Sequence, residues 1–547
     1  MSNARFVFRR ADRLRRAAAA LSACALCWAP QARAEQPATD ATTPARPAED
    51  KPLFDILEYR VLGNTTLADR DIERAVYAAL GPGKTIDDVE QARQSLEEAY
   101  HAAGFGTVFV DIPEQRTDDG IVRLRVTEGR VARVNVSGAR YYSNGEIRNE
   151  VPSLRTGEVP NLPAVQSQLA ALNSRTPDRR VTPVLKAGTT PGTLDVDLKV
   201  EDKLPLHGSL ELNNRYTEDT SSLRLTAAVS YDNLFQKQHS ASLIYQTAPE
   251  NTDELVAIVG SYSFRVPSWD DSMLTLYAFD SNTDVATLGT LSVLGDGSLV
   301  GLRLARPAIE RGGMFHSFAF AVEYKDFLEN IRVSEGESLA TPIDYVNWTA
   351  TYSGLRRGEG TTTAFNVGPA LGIRGLSNES QEFAEKRYQG QANYLYLRGG
   401  LQHWRRLPHD LQLFVRLAAQ ASAEPLPSSE QVAIGGADSV RGYLEAAQLG
   451  DSGLSGGIEL RSFWPATQLK LAPESAYVFA FFDAGVVSVV DPLPDQDRAV
   501  SLASFGLGVT AAWKGFDLGV DWAHALDSSG SVQAGDDRGL FSLSYGF

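Results

Sequence analysis

The residues of this 547-residue chain that are best placed to do chemistry are Val440-Arg441-Gly442-Tyr443. They put a permanent cation and a glycine hinge in a C-terminal region whose residue pattern is that of a membrane barrel. An arginine that faces lipid at the midplane of such a barrel costs about 2–4 kcal/mol. Ionisable groups inside a membrane instead tend to mark a pathway and to have a partner nearby. The motif therefore indicates a route through the barrel.

Other chemically capable residues form no convincing site. Gly450-Asp451-Ser452-Gly453 resembles the nucleophile segment of trypsin-like proteases, but none of the seven histidines lies in a fitting context, and a triad requires geometry. The histidines show no metal-ligand spacing. No glycine-rich, lysine-containing phosphate loop is present. We therefore expect no enzymatic activity, no catalytic residues, no metal and no cofactor.

The first 34 residues have the pattern of a secretory signal. Arginines precede an apolar stretch from Ala17 to Trp28, and Ala32-Arg33-Ala34 is a small-x-small cleavage site. The alternative is lipoprotein processing at Cys24, because the preceding residues resemble a lipobox. Cys24 and Cys27 are the two cysteines of the chain, so signal removal would leave none and would exclude a disulfide scaffold or a cysteine nucleophile.

Charge excludes one further class of protein. The whole chain has a net charge of −16. The predicted signal contains seven Arg and one Asp, so the processed chain would have 45 basic and 67 acidic residues, a net of −22. Proteins that bind nucleic acid usually show the opposite balance. We expect no nucleic-acid partner.

The elements that precede the motif predict a linker and two small domains. Residues 35–51 are rich in Pro, Ala and Thr and are typical of a disordered linker. Residues 52–129 and 130–203 each show the order β-α-α-β-β, which is compatible with helices on one face of a small sheet. In the first copy the predicted helices are Asp69–Leu80 and Asp87–Ala103, the second of which ends at a glycine.

Residues 204–547 change to an alternation of period two, as from Phe516 to Trp522. No apolar run approaches the length of about 20 residues that a membrane helix needs. A spanning structure must therefore be a closed β-barrel, with apolar residues toward lipid and small polar residues toward the lumen. Strands of 9–11 residues allow roughly 14–18 of them. Ser281–Ser298 and Ser334–Pro342 are predicted to be long polar loops.

At this point the chain resembles the outer-membrane translocators of two-partner secretion, the haemolysin activation/secretion proteins of the barrel-assembly insertase superfamily. Gly63-Asn64-Thr65, Tyr100 and Val126–Val131 look like signatures of POTRA (polypeptide-transport-associated) domains. Gly435-Gly436 with Ser439–Tyr443 is similar to the superfamily motif on the long loop after strand eleven of sixteen. The resemblance implies two POTRA domains before a 16-stranded transmembrane antiparallel barrel. One departure is that residues 35–51 predict no N-terminal plug helix.

The resemblance also implies that this loop folds into the lumen and that Arg441 contacts Asp483, in Phe482-Asp483-Ala484-Gly485. A carboxylate can accept two parallel hydrogen bonds from a guanidinium, which a lysine cannot imitate. We predict a loop latch of Arg441 and Asp483 with Val440, Gly442, Tyr443, Gly435 and Gly436. Phe479 and Phe481 share the predicted lumenal face of Asp483, so alternation alone leaves that face open. The alternative is a surface arginine and an unrelated aspartate.

The predicted sheets offer a second mechanism, because an unfolded client can add as a strand to an exposed edge. Candidate edges are Thr107–Ile112 and Arg180–Leu185. The alternative is that these edges are merely solvated. The client-binding candidates on them are Thr107, Val108, Phe109, Val110, Val181, Thr182, Val184 and Leu185.

Together these features predict a passive translocator in the outer membrane of a Gram-negative bacterium, with periplasmic N-terminal domains. Its expected partners are one large secreted exoprotein, outer-membrane lipid, and the barrel-assembly machinery during biogenesis. The alternative within the superfamily is a factor that inserts other barrels, which would need a lateral seam. A solute porin would lack the periplasmic domains.

Overall fold

A computed structural model describes residues 52–547 except 118, 219, 270–271, 284, 289–290, 295, 307, 335–336, 377–378, 464–474 and 495. The predicted signal and linker, residues 1–51, lie outside the described residues. The chain divides into an N-terminal unit that ends at Pro205 and a C-terminal unit, Leu206–Phe547. No helix within the described ranges is long and apolar enough to cross a membrane.

The first domain of the N-terminal unit packs two helices against a three-stranded sheet of order β2-β5-β4. β2 and β5 are parallel, and β4 runs antiparallel to β5 at the sheet edge. Beyond the predicted pattern, a short pair, β1 with β3, precedes the second helix. The elements are β1 (Phe54–Ile56), β2 (Glu58–Leu62), α1 (Asp69–Val76) with a 3₁₀ turn (Tyr77–Ala79), β3 (Gly81–Lys84), α2 (Ile86–Ala102), β4 (Val108–Asp111) and β5 (Ile121–Glu128).

The second domain repeats this arrangement with sheet order β6-β8-β7, again with one parallel and one antiparallel pair. Its buried apolar residues form a core separate from that of the first domain. The elements are β6 (Arg130–Ser137), α3 (Asn144–Asn149), a 3₁₀ turn (Pro152–Leu154), α4 (Leu162–Ser174), β7 (Arg179–Ala187) and β8 (Thr193–Asp202).

Glu128, at the end of β5, joins the first domain to the start of the second. Its carboxylate accepts hydrogen bonds from the backbone N–H groups of Thr65 and Thr66 at 2.6 and 3.0 Å, and from both threonine hydroxyls. Arg130 Nη2 lies 2.8 Å from the same group. Burial alone would raise the pKa of Glu128, but the donors from Thr65 and Thr66 outweigh burial and lower it.

The C-terminal unit is a closed antiparallel barrel. Its strands are β9 (Leu206–Asn213), β10 (Arg224–Leu234), β11 (His239–Thr247), β12 (Val256–Val266), β13 (Ser272–Ser281), β14 (Val285–Leu288), β15 (Leu291–Leu294), β16 (Asp296–Ala305), β17 (Ile309–Arg311), β18 (Met314–Ser334), β19 (Glu337–Gly358), β20 (Thr361–Gly372), β21 (Tyr394–Arg406), β22 (Leu411–Ser422), β23 (Val432–Ile434), β24 (Gln448–Gly450), β25 (Ser452–Phe463), β26 (Ser475–Ser488), β27 (Ala499–Trp513), β28 (Phe516–Ala525) and β29 (Asp537–Gly546).

The pairs β14–β15 and β23–β24 are separate hairpins, and β16 and β17 both pair with β18 as parts of one wall strand. The described residues therefore contain sixteen barrel strands, which confirms the predicted architecture. The other elements are 3₁₀ turns at Pro267–Trp269 and Ser428–Glu430 and the short helix α5 (Ser380–Lys386). Along β28 the apolar residues Leu518, Val520 and Trp522 are exposed on the outer wall, as contact with lipid requires.

The prediction of a long loop at Ser334–Pro342 is wrong. β18 and β19 continue as a ladder to the pairs Arg332–Ser338 and Ser334–Glu337, so this segment is the tip of a long hairpin. Main-chain pairing can continue beyond the membrane into water without apolar side chains, because the backbone bonds need no lipid-facing set. Polarity alone therefore did not mark the strand ends. Part of Ser281–Ser298 likewise forms the hairpin β14–β15.

The Glu128 junction predicts an acid-sensitive N-terminal unit. A carboxyl whose pKa is lower in the folded state stabilises that state at pH values above its unfolded pKa of 4.5 and loses this contribution as the pH falls below it. In a fragment of residues 52–205, Glu128→Gln should reduce the free energy of unfolding at pH 7 by about 1–3 kcal/mol. The difference from wild type should shrink below pH 4.5. Denaturant titration at several pH values measures both, with Glu73→Gln on the exposed face of α1 as the control.

Candidate functional site: the lumenal loop

The loop that joins β22 to β25 contains the motif found in the sequence. It runs through the 3₁₀ turn Ser428–Glu430, then β23, and returns through β24. The hairpin β23–β24 pairs Val432 with Gly450 and Ile434 with Gln448, so Arg441 lies in the bend between its arms. The motif residues Val440, Arg441, Gly442 and Tyr443 are buried, which an ordinary surface loop would not produce.

Arg441 forms a bidentate ion pair with Asp483 on β26. Its Nε donates to Oδ2 at 2.7 Å and its Nη2 to Oδ1 at 3.1 Å, while its backbone N–H reaches Oδ2 at 3.3 Å. The Arg441 residue is 3% exposed and Asp483 is 0% exposed. This is the geometry expected for a bidentate pair, which a lysine could not form.

The pair belongs to a larger charge cluster in the barrel wall. Glu459 Oε1 on β25 lies 3.0 Å from Arg441 Nη2, and Asp521 Oδ2 on β28 lies 3.6 Å from Nη1. Arg416 Nη2 on β22 also lies 3.0 Å from Asp483 Oδ1, and that nitrogen donates to the Ser439 carbonyl of the loop at 2.7 Å. Several partners of opposite sign thus offset the desolvation of each buried charge.

Sequence reasoning missed Arg416, Glu459 and Asp521. Each lies on a different strand, and their convergence depends on the register of β22, β25 and β28. One signal was available: Glu459 and Asp521 are carboxylates within strands of period two, on the face opposite the apolar residues. Alternation could place them in the lumen, but it could not show which of them meets Arg441.

The positions of two aromatic rings explain why the alternation of residue types around Asp483 could not decide which face of β26 points to the lumen. Phe479 and Phe481 share the buried lumenal face with Asp483, whereas Phe482 is exposed on the outer wall. The Arg441 guanidinium carbon lies 3.5 Å from the ring centroid of Phe481 and 5.6 Å from that of Phe479. These apolar lumenal residues therefore form a cation–π platform for the arginine.

Tyr443 and Val440 anchor the bend on the side of β27 and β28. The Tyr443 hydroxyl lies 2.9 Å from the carbonyls of Ala503 and Asp527 and accepts from the Asp527 N–H at 2.9 Å. Val440 packs in an apolar cluster with Ile434 and Leu502. Tyr443 thus fixes the loop to backbone groups of Ala503 and Asp527.

The three glycines of the motif adopt backbone conformations that disfavour other residues. Gly435, Gly436 and Gly442 have φ of +105°, +96° and +101°. A Cβ at Gly435 would also lie 2.6 Å from the Leu444 carbonyl oxygen. These glycines let the hairpin close tightly enough for Arg441 to reach the wall.

The structure places the predicted client-binding residues at sheet edges. Val108, Phe109 and Val110 lie in β4, Val181, Thr182, Val184 and Leu185 lie in β7, and Thr107 lies in the turn before β4. Each strand pairs on one side only, β4 with β5 and β7 with β8. The Arg441 cluster belongs to the other unit.

Side chains from the adjacent helices cover part of both edges. The Val110 N–H donates to Glu97 at 3.1 Å, and its carbonyl accepts from Arg93 at 3.1 Å. Asn173 makes the equivalent pair of contacts with Val181, at 2.8 and 3.0 Å. Proteins commonly protect edge strands from unwanted pairing in this way. Any strand added at these positions would have to displace these side chains.

The fold and the site define an outer-membrane β-barrel transporter with N-terminal POTRA domains in the periplasm. The model of the haemolysin secretion/activation protein ShlB/FhaC/HecB family matches residues 192–511, and the ShlB-type POTRA domain model matches residues 54–129. The chain belongs to the ShlB/FhaC/HecB family of two-partner secretion transporters, which carry a secreted partner protein across the outer membrane.

Relatives agree with this assignment. The chain is 23% identical to the outer membrane transporter CdiB of Dickeya dadantii over 86% of this chain and 83% of that protein. It is 20% identical to the heme/hemopexin transporter protein HuxB of Haemophilus influenzae, over 87% and 84% of the two chains. The structure of CdiB from Escherichia coli shares the fold, with a TM-score of 0.60 at 17% identity and coverage of 92% and 93%. These relatives are transporters, which confirms the expectation that the chain is not an enzyme.

Gly457, on β25, provides a test of the cluster from the wall side. A Cβ at this position would lie 2.2 Å from Asp483 Oδ1 and 2.8 Å from Arg416 Nε. Gly457→Ala should therefore push the Asp483 carboxylate away from Arg441 and raise the single-channel open fraction of the purified barrel in a planar bilayer. Gly260→Ala is the matched control, because a Cβ on that β12 glycine meets nothing within 4 Å. Equal open fractions of the two variants would contradict this prediction.

Proposed function

We propose that this transporter exports one large secreted partner protein in unfolded form through the barrel, and that the loop held by Arg441 is the gate. The observation that carries the proposal is the buried contact between Arg441 and Asp483, with Nε 2.7 Å from Oδ2. A loop fixed inside the lumen leaves less room for a polypeptide. Export then requires the loop to move, and the latch sets how readily it does so.

The chemistry of the latch suits a reversible gate. Breaking a buried ion pair by removing one partner typically costs about 3–5 kcal/mol, because a charge remains without compensation. Here both groups have alternative ion-pair partners within 4 Å: Asp483 has Arg416, and Arg441 has Glu459 and Asp521. The loop can therefore be displaced without leaving an unpaired charge in the lumen.

The N-terminal domains receive the client in this proposal. An extended segment adds to the edge of β4 or β7 and gains main-chain hydrogen bonds with little dependence on sequence. It must first replace side-chain contacts such as those of Asn173 with Val181, each worth about 1 kcal/mol net. Pro183 on β7 has no backbone N–H, so the client can form one main-chain hydrogen bond fewer with this strand. Reception is then weak and reversible, as transit requires.

Client folding outside the cell supplies the direction of export, because the periplasm contains no nucleotide.

If the protein were instead an assembly factor, the hydrogen-bond ladder between the first barrel strand, β9, and the last, β29, would have to open. That ladder pairs Ser209–Asn213 with Ser542–Gly546, and Gly208 and Phe547 exchange backbone hydrogen bonds of 3.3 and 3.1 Å. Passage through the lumen leaves this seam closed and requires movement of the loop alone. The barrel-assembly machinery remains a predicted partner in biogenesis.

Arg441→Ala tests the gate. We expect the open fraction of the barrel in a planar bilayer to rise by about tenfold or more, because the closed loop loses a buried charge-assisted contact worth about 1.5–3 kcal/mol. Secretion of the cognate exoprotein should change with it. Immunoblots of culture medium measure secretion, and heat-modifiable migration reports barrel insertion. Arg405→Ala is the control, because Arg405 is an exposed arginine on β21. Normal secretion and conductance by a correctly inserted Arg441→Ala barrel would reject the gate.

A photo-crosslinking residue tests client reception at the edges. Placed at Phe109, which is 63% exposed on β4, or at Thr182 on β7, it should give adducts with the client during export. The same residue at Glu73 on the outer face of α1 is the control. Adducts of equal yield at all three positions would count against edge binding and would leave the export function intact.

A further inference from the structure

The lumenal loop carries a second buried charge, Glu430, eleven residues before Arg441. Glu430 ends the 3₁₀ turn Ser428–Glu430 and is 1% exposed. Its Oε1 accepts from Lys325 Nζ and from the Tyr345 hydroxyl, each at 2.6 Å. Its Oε2 accepts from the Tyr396 hydroxyl at 2.6 Å and from Asn347 Nδ2 at 3.3 Å. Both carboxylate oxygens are therefore fully engaged by the wall.

The donors come from three wall strands. Lys325 lies on β18, Tyr345 and Asn347 on β19, and Tyr396 on β21. Gln420 on β22 adds a bond of 2.8 Å to the Glu430 carbonyl. An isolated buried carboxylate would be strongly destabilising, so a socket with a cation and three neutral donors indicates a site built for this charge.

Aromatic packing and one hydrogen bond hold the donors of the socket in place. Phe383 of α5 lies edge-on to Tyr345, with ring centroids 5.6 Å apart, and also packs against Tyr394 at 6.0 Å. The Tyr394 hydroxyl donates to Asn347 Oδ1 at 3.3 Å, which orients the amide so that its NH₂ points to Glu430. Leu426 of the loop belongs to the same buried cluster. The hydroxyl and amide donors are thus preorganised for a carboxylate.

Arg441 and Glu430 attach the loop to different parts of the wall and with opposite polarity. At Arg441 the loop supplies the cation, and β25, β26 and β28 supply carboxylates. At Glu430 the loop supplies the anion, and β18 supplies the cation. Four strands of the barrel order, β19 to β22, lie between β18 and β25, so the loop bridges two sectors of the lumen.

We propose that Glu430 is a second latch of the lumenal loop, a positioning residue that must release its socket before a client can pass. The passage step rests on the proposed export function, whereas the anchoring does not. Two latches of opposite polarity explain how the loop can cross the lumen without pivoting on one contact. Loss of Arg441 alone would free the bend and leave the N-terminal arm docked.

Cysteine accessibility separates the two latches, because the processed chain is predicted to contain no cysteine. Ala433→Cys reports the arm next to Glu430, and Ala437→Cys reports the bend next to Arg441; both alanines are partly exposed. In full-length protein in outer-membrane vesicles, Glu430→Gln should speed maleimide labelling at the Ala433→Cys reporter by about tenfold, the effect of one charge-assisted hydrogen bond. Labelling at the Ala437→Cys reporter should change less. Arg441→Ala should give the opposite ranking.

Glu379→Gln is the matched control, since Glu379 is an exposed glutamate before α5 with no side-chain capping bond. Its labelling rates should equal those of the parent. If the Ala433→Cys reporter is labelled no faster in the Glu430→Gln variant than in the Glu379→Gln variant, the proposal of a second latch is wrong. Should Glu430→Gln fail to insert, Tyr396→Phe removes one donor without changing charge and should still raise labelling at the Ala433→Cys reporter by a smaller factor.

A double-mutant cycle with Lys325→Met shows whether the wall cation acts through Glu430. If it does, the double variant Lys325→Met, Glu430→Gln should label no faster than the faster single variant. If instead the two substitutions raise the labelling rate by independent factors that multiply in the double variant, the proposed latch is wrong. Export of the client is measured in parallel: faster labelling with unchanged export would support the anchoring and reject the gating role, so the two claims fail separately.

Discussion

Arg441 can lie within a membrane-spanning barrel only because the lumen supplies acceptors for its charge. Asp483, Glu459 and Asp521 surround the guanidinium at 2.7 to 3.6 Å, and Phe481 lies against its face. Without these groups, a buried arginine would be strongly destabilising. The requirement for charge compensation determines much of the local structure: Gly457 leaves space for the carboxylate, and Gly442 lets the loop turn toward the wall.

The same constraint acts on the other arm of the loop with reversed sign. Glu430 lies among Lys325, Tyr345 and Tyr396, so the loop is held in two sectors of the lumen rather than at one point. Buried ionic contacts contribute little net stability compared with apolar packing, but they require a specific geometry. A gate needs this combination, because a loop held by a large apolar interface would be difficult to displace, and an unanchored loop would not close the lumen.

The N-terminal domains show a different balance between stability and exposure. Glu128 fixes the end of the first domain through Thr65, Thr66 and Arg130, while β4 and β7 remain unpaired on one side. Helix side chains such as Asn173 occupy part of these edges. This protects the sheets from adventitious strand pairing. The proposed client would replace these side-chain contacts one at a time.

The sequence by itself determined two α/β repeats followed by a β-barrel and the identity of Arg441 as an intramembrane charge, because alternation and glycine signals are local properties of the chain. Alternation limited the barrel to roughly 14–18 strands, and the family resemblance implied sixteen. Strand ends were not determined, as the long hairpin β18–β19 shows, since pairing continues where polarity suggests a loop. Only the tertiary structure decided that Arg416, Glu459 and Asp521 meet Arg441 and that Glu430 meets Lys325. These residues lie on separate strands, and their proximity depends on barrel register and closure, which bring together residues far apart in the chain.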